Sequence, residues 1–294
     1  MVAAPSAANA SSGDEDWSSI YLGQSHLHAK DALLGERDEY PTYTREMIEV
    51  EWREGDPIHL FLILPKGRPK APVILYLYSF PSDTDRFLND DFCELLAKGG
   101  FAAAGFVSAL TGQRYHDRPM REWFVSELQE ALGSSVHDVQ MMLNYLTARG
   151  DVDMTRVGMF GEGSGATIAI LAAAADPRIK VLDLVDPWGD WPDWLAHSSL
   201  PPEEERPQYV KPEFLKLAAP LDPLKWFGQV KAKVRLQYLS EASVTPAAAR
   251  ERIAAAAPSQ TTRIPYPEAV ERYKAAKTKF FDWIKEQVQA APAR

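Results

Sequence analysis

The segment MTRVGMFGEGSGATIAILAAAADP, residues 154–177, constrains the fold more than any other part of the chain. An apolar run, a cluster of glycines at 161, 163 and 165, and an alanine-rich stretch read as strand, tight turn and helix. The same alternation recurs on both sides. Val73–Tyr78 is a continuous apolar run, the mark of a strand buried on both faces. Residues 87–98 carry helical periodicity and stop at Gly99-Gly100, and Phe101–Val107 is again short and apolar. The segment SSVHDVQMMLNYLTARG predicts a helix with Ser134 or Ser135 at its N-cap and Gly150 at its stop. VLDLVDPW, VRLQYLS and TTRIPY read as later strands, with helices over Pro246–Ala257 and Val270–Val288. Ahead of all these, Met47–Arg53 and Ile58–Leu64 flank Glu-Gly-Asp-Pro and predict a hairpin. Strands alternating with helices imply an α/β domain built on a mostly parallel sheet.

Composition narrows the partners. The 294 residues include 32 basic and 41 acidic side chains, a net charge of −9, with no block of Lys or Arg. Phosphate backbones require a basic face, so nucleic acid is not an expected partner. No apolar run approaches the roughly 18 residues of a membrane span, so no membrane partner is expected either. With one cysteine, Cys93, an internal disulfide is excluded, and its helical setting reads as a packed small hydrophobe. Residues 1–16 read as a disordered tail, being Ala/Ser-rich at their start. The alternative there is that Ala8-Asn9-Ala10 ends a signal peptide whose earlier part is missing, which would mean export rather than a cytoplasmic protein. Residues 17–294 read as a single domain. The Pro- and Trp-rich stretch at about 190–228 breaks the alternation and reads as a short lid inserted over the sheet.

The motifs around the glycine cluster resemble the α/β-hydrolase fold, in particular its dienelactone-hydrolase-like and peptidase/esterase branches. LILPKGRPKAPVILYLYSF is similar to that superfamily's strands leading into the oxyanion loop. SVHDVQMMLNYLTARGDVDMTRVGMFGEGSGA resembles its helix, D-x-x-R connection and nucleophile elbow, and Phe280-Phe281-Asp282-Trp283-Ile284 its terminal helix. The resemblance implies about eight strands, helices on both faces, and a catalytic Ser-His-acid triad.

The triad residues do not stand where the resemblance puts them. The elbow pattern is G-x-S-x-G, which works by placing a nucleophile on a tight turn between small neighbours. Here it reads Gly161-Glu162-Gly163-Ser164-Gly165, with Gly163 at the nucleophile position and Ser164 one residue later. The superfamily's histidine follows the last strand, within Tyr266–Glu271 here, yet no histidine follows His197. The acid falls near Ser243, with Glu241 the adjacent carboxylate, or alternatively at Asp186 after the preceding strand. The usual His-Gly of the oxyanion loop is replaced by Tyr78-Ser79-Phe80. Without a neighbouring imidazole a serine hydroxyl stays protonated and is a poor nucleophile.

The leading expectation is therefore a hydrolase-like protein that has lost its triad and binds a small molecule, a peptide or a partner. The competing one is a serine hydrolase using a displaced Ser164, with Asp186 and His116 or His197 from a loop. A third is non-hydrolytic acid–base chemistry with Glu162 or Asp186 as base. Trp188, Trp191 and Trp194 recur at three-residue spacing beyond a strand end. They read either as an aromatic ligand wall, with His116 nearby in the ligand site, or as packing that seats the lid. His137 is expected on the surface or as a cap, and His59 as a cross-strand contact. His26 and His28 have an H-x-H spacing without a third ligand, so no metal and no cofactor is expected.

Overall fold

The computed structural model describes residues 15–78, 85–110, 127–239, 243–267, 271 and 281–290. Its strands are β1 Leu33–Glu39, β2 Tyr43–Val50, β3 Ile58–Pro65, β4 Ala71–Tyr78, β5 Ala102–Val107, β6 Val152–Glu162, β7 Ile179–Val185, β8 Lys233–Leu239 and β9 Thr262–Tyr266. They form one sheet in the order β1-β2-β3-β5-β4-β6-β7-β8-β9. The first three pairings, up to β3–β5, are antiparallel, and the six strands from β5 to β9 run parallel. The expected hairpin is β2–β3, in register from Val50↔Ile58 to Tyr43↔Pro65.

The sheet has one strand more than the eight expected from sequence. The addition is β1, whose sequence LLGERDE lacks alternation because it lies at the sheet edge and is almost wholly exposed.

The helices are α1 Asp90–Lys98, α2 Leu128–Arg149, α3 Ser164–Ala175, α4 Trp191–His197, α5 Arg206–Tyr209, α6 Pro212–Ala218, α7 Pro223–Trp226, α8 Ala247–Ala256 and α9 Asp282–Gln289. Strand side chains alternate between two cores. Val73, Leu75 and Leu77 of β4 pack with α2 and α3, and Ile74 and Tyr76 with α1 and α9. Helices thus cover both faces, which is why these strands are apolar throughout. Cys93 is fully buried in the α1 core. Buried residues of the 186–228 stretch, including Trp188, Trp194, Leu221 and Phe227, join the α2–α3 core rather than forming one of their own.

Two expectations about α2 are corrected. The helix starts at Leu128, more than a turn before Ser134, so neither serine is an N-cap. Their hydroxyls instead donate back to helix carbonyls, Ser134 to Glu130 at 2.7 Å and Ser135 to Ala131 at 2.6 Å. Gly150 does end the helix, in the left-handed conformation with φ 73°.

His137 is also not a surface residue: it is fully buried. Its Nδ1 lies 2.6 Å from Glu15 Oε1 and its Nε2 is 2.9 Å from the Ser19 carbonyl. Arg53 completes the cluster. It donates to both Glu15 oxygens at 2.6 and 2.7 Å, to the Ser134 carbonyl and to Asp138, which also accepts from Trp52 Nε1 at 2.8 Å. The tail boundary drawn at residue 16 therefore falls too late, since Glu15 is held by these charges. The chain then crosses α2 so closely that a Cβ on Gly133 would collide with the Trp17 backbone.

Burial alone would raise the Glu15 carboxyl, but hydrogen bonds from Arg53 and His137 outweigh it and hold the pKa at about 2. Against an ordinary value of 4.5, that contributes roughly 3 kcal/mol, complete above pH 4.5 and lost as pH falls toward 2. Glu15→Gln should flatten the acid limb of stability across that window in urea unfolding at stepped pH. Arg53→Met, which removes the guanidinium shared by two buried carboxylates, should cost about 3–5 kcal/mol at pH 7 in the same measurement.

Candidate functional site

The end of β6 meets the start of α3 in a turn that only small residues permit. A Cβ on Gly161 would run into the Gly165 carbonyl, so Gly161 lets strand end and helix start touch. Between them Gly163 stands at φ 57° and ψ −122°, a conformation that L side chains rarely adopt. Its N–H donates to the Val185 carbonyl at 2.8 Å, anchoring the turn to β7. Its carbonyl accepts from Ala166 and Thr167 at 3.1 and 3.2 Å, starting the helix. The turn thus has an elbow's shape with glycine at its apex.

The space above that apex is filled. A Cβ on Gly163 would lie 3.2 Å from Trp188 Nε1 and 3.4 Å from two carbons of the same indole. Trp188 is 2% exposed and is held by one hydroxyl at both of its backbone groups. Thr167 Oγ1 donates to the Trp188 carbonyl at 2.7 Å and accepts from its N–H at 2.9 Å. The indole packs on Trp194 at a tilt of 31° with 5.0 Å between centroids, and Trp194 meets Trp191 edge to face at 5.7 Å. All three expected tryptophans are therefore gathered in the core, Trp191 and Trp194 from α4 of the 190–228 stretch and Trp188 just ahead of it. Trp191 also lines a surface groove of about 450 Å³ with Pro192, Leu215, Lys216, Leu224 and Lys225.

Other described candidates stand at the strand ends on this rim. Ser164 is the first residue of α3 and fully buried. Glu162 is the half-buried last residue of β6, and Tyr78 the last of β4, paired across to Val107. Ser79, Phe80, His116, Glu241 and Glu268 lie outside the described residues. Asp186, directly after β7, has φ 45° and accepts from the Leu239 N–H at 3.0 Å, while its own N–H donates to the Gln237 carbonyl. Its carboxylate is thus spent in part on closing the β7–β8 edge. One step deeper, Arg235 and Gln237 of β8 donate to Asp183 of β7. Burial still pushes that carboxyl above the ordinary range. Ser243 Oγ accepts from the Thr245 N–H in a local turn.

The described histidines are held elsewhere. His137 belongs to the Glu15 cluster. His197 is 68% exposed on α4 and sits 2.6 Å from Asp193 Oδ1. His59 faces Glu49 across the β2–β3 pair at 3.6 Å, the expected cross-strand contact. His26 and His28 are exposed, and among the described residues no cluster of three His, Cys, Asp or Glu is placed to hold a metal.

Two participants were not expected from sequence. Thr167 looks like any helix threonine, and only the fold brings it to Trp188. Asp222 caps α7 through Leu224 N–H and also accepts from the backbone of Asp190 and Trp191, fixing the start of α4. An Asp-Pro pair is a usable helix-start signal for the first role but not the second.

Nothing matches the sequence among protein-family models or curated proteins. Solved structures do match. An acetyl xylan esterase from Paenibacillus sp. R4 superposes with TM-score 0.70 at 17% identity, over 88% of this chain and 90% of that one. Acetyl xylan esterase 1 from Thermoanaerobacterium sp. JW/SL YS485 gives 0.69 at 16%, over 90% and 89%. Acylaminoacyl peptidase from Pyrococcus horikoshii gives 0.65 at 14%, over 87% of this chain and 43% of that one. Taken with the sheet order and the elbow, these likenesses establish the fold. The chain has the α/β-hydrolase fold, shared with esterases and a peptidase.

Gly163→Ala combines a positive φ with a tight contact to Trp188, so it should lower stability by about 1–3 kcal/mol in chemical denaturation. Gly161→Ala, which meets backbone rather than an indole, should cost more.

Proposed function

We propose that this chain has given up serine-hydrolase chemistry at its elbow and acts as a binding protein. The observation that carries the reading is the glycine at the elbow's apex with an indole packed over it. A nucleophile there would need a side chain where Trp188 now lies, so the apex is both unarmed and covered. Glycine also removes most of the backbone strain that a nucleophile would have to bear, about 1–3 kcal/mol. The sequence supports the same reading independently, because no histidine follows His197. Deprotonating a serine hydroxyl requires a base near neutral pKa within hydrogen-bond reach.

The ligand is proposed to be a small molecule or short peptide held at the lid. The groove lined by Trp191, Leu215 and Leu224 lies in the size range of small-molecule sites. Lys216 and Lys225 outnumber Asp222, the one acid in its described lining, which favours an acidic ligand.

A fluorophosphonate probe tests the loss of chemistry. The intact chain should take up no more label than Ser164→Ala, and p-nitrophenyl acetate should disappear at the buffer rate. Labelling or turnover that vanishes in Ser164→Ala would establish the displaced-serine hydrolase instead.

A further inference from the structure

The rim of the sheet opposite the elbow carries positive charge that the elbow does not use. Lys66-Gly67-Arg68-Pro69-Lys70 leads into β4 and places three cations within five residues of a chain whose net charge is −9. Lys66 is neutralised by Glu39 at 2.8 Å. Arg68 makes no ion pair among the described residues: its Nη1 donates to the Gly100 carbonyl at 2.7 Å, leaving the rest of the guanidinium open. It lies flat against Gly100, where a Cβ would be 2.7 Å from that same nitrogen. Lys70 has no ion pair among the described residues either, and its φ of 55° is a conformation costing about 1 kcal/mol or more.

A third cation comes from β6. The pairing of β4 with β6 shifts register between Pro72↔Asp153 and Val73↔Val157, so β6 carries extra residues ending at Arg156. Such a bulge re-aims the side chains on it. Arg156 joins Arg68, Pro69, Lys70, Ala71, Pro72 and Gln289 in lining a cleft of about 400 Å³. Among the described residues two acids lie near. Asp153 accepts from Arg156 Nε at 2.7 Å, and Asp151, in the adjoining groove, is paired with Arg149 at 2.5 Å. Gln289 is turned to the Gly99 carbonyl. With Asp153 set against three cations, the described residues of the cleft carry an excess of two positive charges.

We propose that this cleft binds a small soluble molecule through a phosphate or diphosphate group. Guanidinium forks match phosphate oxygens in pairs, and an excess of two charges suits a dianion better than a single carboxylate. The concave shape and size fit a small ligand rather than a flat polymer surface. The site lies at the start of β4, eight residues and roughly 25 Å from the elbow end of the sheet, so it stands whatever the elbow does.

Isothermal titration with inorganic pyrophosphate at low ionic strength tests this on the full chain. Saturable 1:1 binding is expected, weakened at least tenfold in Arg68→Ala/Lys70→Ala and unchanged in Lys98→Ala, whose ammonium is already paired with Glu94. Arg68→Lys keeps the charge and loses the fork, and should also weaken binding severalfold. These side chains are exposed, and an unchanged thermal midpoint for each variant verifies folding. No saturable heat, equal affinity in the double variant, or wild-type affinity in Arg68→Lys would each overturn the proposal. So would binding to phosphatidic acid vesicles in the absence of any response to pyrophosphate.

Discussion

The close approach of β6 to α3 sets the geometry of the whole rim. Because Gly161 has no side chain, the strand end can lie directly on the backbone of the first turn of the helix. That contact forces the single residue between strand and helix into a left-handed turn, and Gly163 meets the demand without strain. Its N–H then ties the turn to Val185 and so sets where β7 ends and where Asp186 and Trp188 begin. The lid segment inherits its position from this chain of contacts: Trp188 over the apex, Trp194 on Trp188, and Asp222 holding the first N–H groups of α4. In an esterase the same turn would push a nucleophile toward substrate. Here it supplies a flat floor for an indole.

The parallel core was legible because its strands are apolar on both faces and its helices keep their period. Val73–Tyr78 could hardly be anything but a strand between two layers, and the glycine triplet could hardly be anything but a tight turn. The errors share a physical origin. The edge strand β1 buries almost nothing, so hydrophobic patterning has no hold on it. Ser134, Ser135 and His137 are polar residues on a helix that happens to be covered. Their caps and surface roles were inferred from polarity, whereas burial depends on the crossing of residues 15–25 over α2, which no local pattern announces. Glu15 carries no sequence signal either, because its importance lies in Arg53 and His137, each distant in the chain.

At the candidate site the balance is different. The absence of any histidine after His197 and the glycine at 163 could be read residue by residue, since each is a departure from the spaced motif that the chain resembles. What covers the glycine could not. The three tryptophans suggested equally a ligand wall and a packing cluster, and periodicity cannot distinguish an aromatic face turned to solvent from one turned to the sheet. Burial places all three in the core, and Trp191 lines a groove as well.

Charge placement adds a last step. An acidic chain repels anions in general, so a local excess of cations has to be maintained against its own background. Many basic residues here are paired at short range, among them Arg45 with Asp38, Arg149 with Asp151, Arg178 with Asp176 and Lys30 with Glu51. Those pairs tie strands, turns and helix ends together. Arg68 and Lys70 follow a strand end and precede the next strand, and neither has an ion pair among the described residues, although Asp151 shares the adjoining groove with Arg68. Arg156 is turned toward them by a bulge rather than by the regular pleat. Hydrolase chemistry would belong to the C-terminal rim of the sheet, where the strands of an α/β fold present their ligands. A binding site at the opposite rim asks nothing of the elbow, and so is compatible with an elbow closed by Trp188.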